Sequence, residues 1–195
     1  MMGLGKRNAI RLLAGVIVLQ LFAATAVLAQ AWHTRATGEE ILLRSVPVDP
    51  RSLFRGNYAR VRYEISNVTV ELTQDELTPA VEKTGLNSSQ KIYVVVAPDK
   101  DGVHRFQSAS LTKPVVNGDE RVISGRTESN CTVLVTPDSR ADCRVRYGIE
   151  AWFAPKTDAL ELERQFAKGA LARVRVTNSG RAALMGIVES SAENQ

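Results

Sequence analysis

The spacing of apolar residues divides the chain into two unequal parts. From Leu12 to Ala29 every position is apolar or small except Gln20 and Thr25, and no charge follows until Arg35. At about 1.5 Å per residue the stretch to Trp32 covers on the order of 30 Å, the thickness of a bilayer's hydrocarbon core. Beyond it the pattern turns to alternation broken by turn residues, which predicts strands at Glu40 to Val48, Asn57 to Ser66, Lys91 to Ala97, Val103 to Leu111, Glu120 to Thr127, Thr132 to Val135, Arg144 to Phe153, Leu171 to Thr177 and Ala182 to Glu189. Thr73 to Lys83 and Asp158 to Lys168 carry helical spacing instead; in the second, Leu160, Leu162 and Phe166 fall partly on one face. The expected fold is mainly β, an antiparallel sandwich or barrel-like domain with one or two short helices, preceded by one N-terminal transmembrane helix. The expected layout is a cytoplasmic N-terminus at 1–8, a transmembrane helix at 9–32, an extracytoplasmic β-rich domain at 33–190 and a tail at 191–195.

Charge sets the expected orientation. The 195 residues hold 25 Lys+Arg against 21 Asp+Glu, but Lys6, Arg7 and Arg11 precede the apolar run and leave 22 against 21 after it. Basic residues on the N-terminal flank favour a cytoplasmic start, and Trp32 suits the opposite interface. The rest of the chain, near neutrality, lacks the excess positive charge that binding to nucleic acid normally draws on. A cleaved signal peptide is the competing reading, with small residues around Ala29 as its processing site. Against it, the apolar run exceeds the usual signal core of about 7 to 15 residues.

An extracytoplasmic domain changes the reading of the two cysteines. Cys131 and Cys143 sit symmetrically about Pro137, in a strand, turn and strand pattern that would set the thiols opposite each other. A disulfide is expected there, since an oxidising compartment permits it. No metal site and no cofactor are expected: the cysteines lack metal-ligand spacing, and the only histidines, His33 and His104, lie elsewhere.

The most distinctive segment runs from Val46 to Ser66, where two extended stretches flank a loop ending in Gly56-Asn57, a pair suited to turning the chain. After it Ala59, Val61, Tyr63 and Ile65 form one face, expected to be core, and Tyr58, Arg60, Arg62 and Glu64 the other. Gly56 to Tyr63, GNYARVRY, resembles the signature of the GDYXXLXY family of membrane-anchored proteins, and Arg146 to Pro155, RYGIEAWFAP, is similar to that family's second block. The resemblance implies an N-terminal membrane helix and association with multi-pass membrane proteins, and no particular activity. The family Asp is Asn57 here and the family Leu is Val61. Asn replaces Asp as a turn former but not as a general base, so Gly56, Asn57, Val61 and Tyr63 read as a structural motif.

A basic patch is the candidate site. Arg51, Arg55, Arg60 and Arg62 surround Tyr58, and Tyr147 and Glu150 would come from the second block, together able to hold a carboxylate or phosphate. The plainer reading has Glu150 neutralising one arginine and the rest solvated. Two functions compete. One is a non-catalytic interaction or accessory module for a membrane or envelope partner, of unspecified oligomeric state. The other is a membrane-bound hydrolase on a signal-peptidase-like β scaffold, for which Ser45 and Ser52 stand out of place and neither Lys83 nor Lys91 is marked as a base. No catalytic residue is assigned.

Overall fold

The computed structural model describes residues 6–46, 58–73, 86, 88–129, 131–134, 140–153 and 170–188, with 6–7, 58–60, 133–134 and 152–153 as backbone alone. The stretches expected to be helical beyond Thr73 and at 158–168 fall outside these residues.

Helix α1 (Lys6–Thr37) is a single element of 32 residues. From Asn8 to His33 its side chains are exposed on every face, so none of the described residues covers the apolar run. The helix is long and apolar enough to cross a membrane. It ends against the β domain. Thr34 is buried, Gly38 N–H donates to Thr34 O at 3.1 Å, and Arg175 Nη1 donates to Arg35 O at 2.5 Å, satisfying carbonyls a helix terminus leaves open. A Cβ on Gly38 would stand 2.5 Å from Thr34 O, which makes glycine the residue that fits here.

The chain passes directly into β1 (Glu39–Val46), whose burial alternates with the pleat. The large sheet runs β12 (Ala182–Val188), β11 (Leu171–Val176), β1, β6 (Val103–Ser110), β5 (Lys91–Pro98), β7 (Arg121–Thr127), β9 (Arg140–Arg146), β4 (Asn67–Glu71). The two-residue β3 (Arg62–Tyr63) adds to β1, and β8 (Thr132–Leu134) adds to β9. A ribbon of β2 (Tyr58–Arg60) and β10 (Ala151–Phe153) stands apart. Among the described residues β1 and β6 are paired in parallel, Leu42 to Val103, and the other pairings are antiparallel. β4, at the far end of the strand order, comes back against β6, so the sheet curls over one core in a sandwich-like fold. Ile41, Leu43, Ile92, Val94, Ile123 and Val174 lie at its centre with almost no exposure.

Three boundaries differ from the alternation pattern. The run expected as one strand, Asn57 to Ser66, is split among its described residues. β2 pairs with β10, Val61 N–H donates to Glu150 O at 2.9 Å, and β3 then turns to β1 before a 3-10 turn at Glu64–Ser66. The run expected from Arg144 to Phe153 breaks at Gly148, whose φ of 81° lies in the left-handed region. β4 was not anticipated. Its alternation continues that of the preceding run, and only Ser66, turned inward to accept from Tyr63 N–H at 3.1 Å, separates the two.

The expected disulfide is present. β8 pairs Thr132 with Asp142 and Leu134 with Arg140, which sets Cys131 opposite Cys143 with Cα atoms 4.6 Å apart. That is the separation of a non-hydrogen-bonded antiparallel pair, which a disulfide spans without displacing the backbone. Both cysteines are buried.

Candidate functional site

The corner at 61–66 and the turn at 147–150 lock together. Tyr63, 1 % exposed, donates its hydroxyl to Ile149 O at 2.7 Å; Tyr147 donates its hydroxyl back to Ile65 O at 2.5 Å. Each ring thus crosses to the other segment and fills the backbone acceptor beside its counterpart. Burial first, and then the charge of Glu150, raise both phenols well above the usual tyrosine range, so they stay protonated and remain donors. Neither group is poised as a base.

Glu150 closes the turn it belongs to. Its carboxylate accepts from Tyr147 N–H at 2.5 Å and Gly148 N–H at 2.9 Å, while its own carbonyl takes the Val61 amide. The turn therefore gains an anion aimed at two backbone donors, a charge-assisted arrangement that needs glycine at its centre. Behind it Gly125 leaves room for the Tyr147 ring: a Cβ there would stand 2.3 Å from Val145 Cγ1 and 3.0 Å from Tyr147 Cδ1.

The residues of the expected patch are placed as follows. Tyr147 and Glu150 meet Val61 and Tyr63 at the lock; Val61 is buried beside them, 3 % exposed. Tyr58 and Arg60 occupy alternate positions of β2, opposite Phe153 and Ala151 in the register. Arg62 is half-buried on β3, opposite Val46. Arg51, Arg55, Gly56 and Asn57 lie outside the described residues. The neighbouring Glu64 reaches Arg105 at 3.5 Å, and Arg105 reaches Asp99 at 2.8 Å, a surface chain of charges. Hydrogen bonds from Lys100 N–H and then from Arg105 hold the Asp99 carboxyl below its ordinary range.

The sequence placed Ile65 on a core face but gave no role to its carbonyl, and it did not single out Ile149, which also acts through its carbonyl, or Gly125. A backbone acceptor leaves no mark in residue type. Gly148 with a glutamate two residues on was the available signal, since together they spell a tight turn closed by its own side chain. Among the described residues no group of three or more His, Cys, Asp and Glu could hold a metal ion.

The family model described as GDYXXLXY protein matches residues 20–187. The chain belongs to the GDYXXLXY family. The match begins inside α1 and ends on β12, so the family unit comprises the second half of the helix as well as the β domain. The tyrosine lock joins the C-terminal part of the GNYARVRY segment to the turn at 147–150, both inside the matched span. No curated protein and no solved structure matches the chain.

Proposed function

We propose that this GDYXXLXY protein is a membrane-anchored accessory module, without chemistry of its own, that assembles with a multi-pass membrane protein through its helix while the β domain stands on the extracytoplasmic side. Gln20 carries the reading. It lies about 12 Å along the helix from Leu12 and about 18 Å from Trp32, well inside the hydrocarbon, and among the described residues its carboxamide has no hydrogen-bond partner. Thr25, the other polar residue of the run, satisfies itself on Leu21 O at 2.8 Å. A carboxamide facing lipid tails is costly, and a neighbouring transmembrane helix offering a donor or acceptor removes that cost.

Two further observations support the arrangement. The Cys131–Cys143 disulfide belongs with an oxidising compartment, and Lys6, Arg7 and Arg11 favour a cytoplasmic N-terminus. The phenols and carboxylate at the junction of the two family blocks are occupied in holding backbone, which suits a scaffold. The test is crosslinking in native membranes with mass identification of partners, comparing wild type with Gln20→Leu. Recovery of the partner is expected to fall about three- to fifteenfold, the range that interhelical hydrogen bonds contribute. Unchanged recovery would refute the assembly through the helix.

A further inference from the structure

The junction of helix and domain contains a cleft of about 530 Å³. One wall is the last turns of α1, with Ala31, Thr34 and Arg35; the other is Ile149 on the tyrosine lock together with Ala183 and Leu184 of β12. Its depth follows from the helix. Leu12 to Ala31 spans about 30 Å of rise, so Ala31 stands where the hydrocarbon ends and Arg35 roughly 6 Å further out, at the level of lipid headgroups. Helical spacing continues the Ala31 face downward through Val27, Leu28 and Ala24, all exposed and apolar or small, so the cleft opens onto a smooth track into the bilayer.

Charge borders the cleft: Arg35 lines it, and Arg181 directly precedes the lining residue Ala182. Arg35 and Arg181 are exposed, and among the described residues neither meets a carboxylate. Arg181 is held low: with its amide oxygen turned towards the guanidinium, Gln30 accepts from Arg181 Nε at 3.0 Å, one residue below Ala31. The neighbouring Arg175 is already engaged by Arg35 O and lies 3.9 Å from Glu40. Two guanidiniums that meet no carboxylate among the described residues, Arg35 at headgroup height and Arg181 at the boundary where the hydrocarbon ends, beside an apolar slot and an apolar track, complement an anionic phospholipid.

We infer that this cleft holds one anionic phospholipid of the leaflet facing the domain, its phosphate between Arg35 and Arg181, its glycerol region against Ile149 and Leu184, and one acyl chain along Ala31, Leu28 and Ala24. The inference depends on the membrane span and not on the Gln20 contact, so unchanged partner recovery in Gln20→Leu, which would refute the assembly, leaves it unaffected. The test uses the full chain in nanodiscs containing equal phosphatidylglycerol and phosphatidylcholine, with lipid retained on release measured by native mass spectrometry. Wild type is expected to retain one phosphatidylglycerol, and the pair Arg35→Gln with Arg181→Gln to lose that preference by roughly thirtyfold, as two juxtamembrane arginines imply. Both positions are exposed, so folding is not at issue. Ala183→Trp, which fills the slot, is expected to abolish retention of either lipid, with circular dichroism verifying the fold. Equal retention of the two lipids by wild type overturns the proposal. So does preference unchanged in the double arginine variant, and so does retention that survives a folded Ala183→Trp.

Discussion

Replacing the two locking tyrosines by phenylalanine separates hydrogen bonding from packing at the centre of the family unit. Tyr63→Phe and Tyr147→Phe keep the rings and delete one donor each, leaving the Ile149 and Ile65 carbonyls short of a partner in a buried setting. Each is expected to cost about 1–3 kcal/mol at pH 7. Because both bonds tie the same two segments, the double variant should depart from additivity by about 0.5 kcal/mol or more. Alkaline pH then discriminates. Burial raises both phenols in the folded state, whereas in the unfolded chain they titrate near the ordinary value of about 10. Above that pH the unfolded state binds fewer protons than the folded one, so stability falls as pH rises. At pH 11 each tyrosine removes about 1.4 kcal/mol, and the two together about 3 kcal/mol, a loss the double phenylalanine variant does not suffer. The advantage of wild type at pH 8 should therefore shrink by about 3 kcal/mol at pH 11. Urea unfolding of the detergent-solubilised protein, followed by far-ultraviolet circular dichroism, measures it, with the slope in denaturant checked for constancy. A difference that stays level from pH 8 to pH 11 would mean that the phenols ionise freely in the folded protein, and the lock as described would be wrong.

The same unfolding assay reaches two other features. Gly125→Ala drives a methyl group into Val145 and the Tyr147 ring and is expected to cost about 1–3 kcal/mol; an unaltered midpoint would show that β9 does not press on β7 there. Replacing both Cys131 and Cys143 by alanine releases a loop with a sequence separation of 12 and should lower stability by roughly 2–3 kcal/mol, with a mass heavier by two hydrogen atoms on reduction as the control for the wild-type bridge. Equal stability of wild type and the alanine pair would refute that contribution.

What could be read from residues alone was whatever depends on period and on spacing along the chain. The anchor, the alternating faces of β1, β9 and β11, and the opposition of the cysteines about Pro137 are all local, and all are present in the structure. What escaped depends on partners distant in sequence. Alternation through Val61 and Tyr63 looks the same whether a strand continues or crosses from β10 to β1, because the pleat survives the change of neighbour. The parallel contact of β1 with β6 is invisible for the same reason. Tyr147 and Glu150 drew notice as residues able to hold an anion, since phenol and carboxylate are the same letters whether they face solvent or a backbone amide. Only the fold shows which groups they meet. The contact of Arg181 with Gln30 went unremarked because it depends on β12 returning to the foot of the helix.

The position of β1 has a consequence for how the protein is made. It is the first strand to follow the helix, yet it lies inside the sheet, flanked by β6 and by β11, whose residues begin at Leu171. At about 5–20 residues per second, the ribosome needs roughly 6 to 25 s after finishing β1 to reach β11. Throughout that interval a strand carrying Ile41 and Leu43 waits with one edge open, beside the membrane and at the start of a fold dominated by long-range pairing. The nascent domain is thus committed to late closure, and the strands written last decide whether the strand written first is ever sheltered.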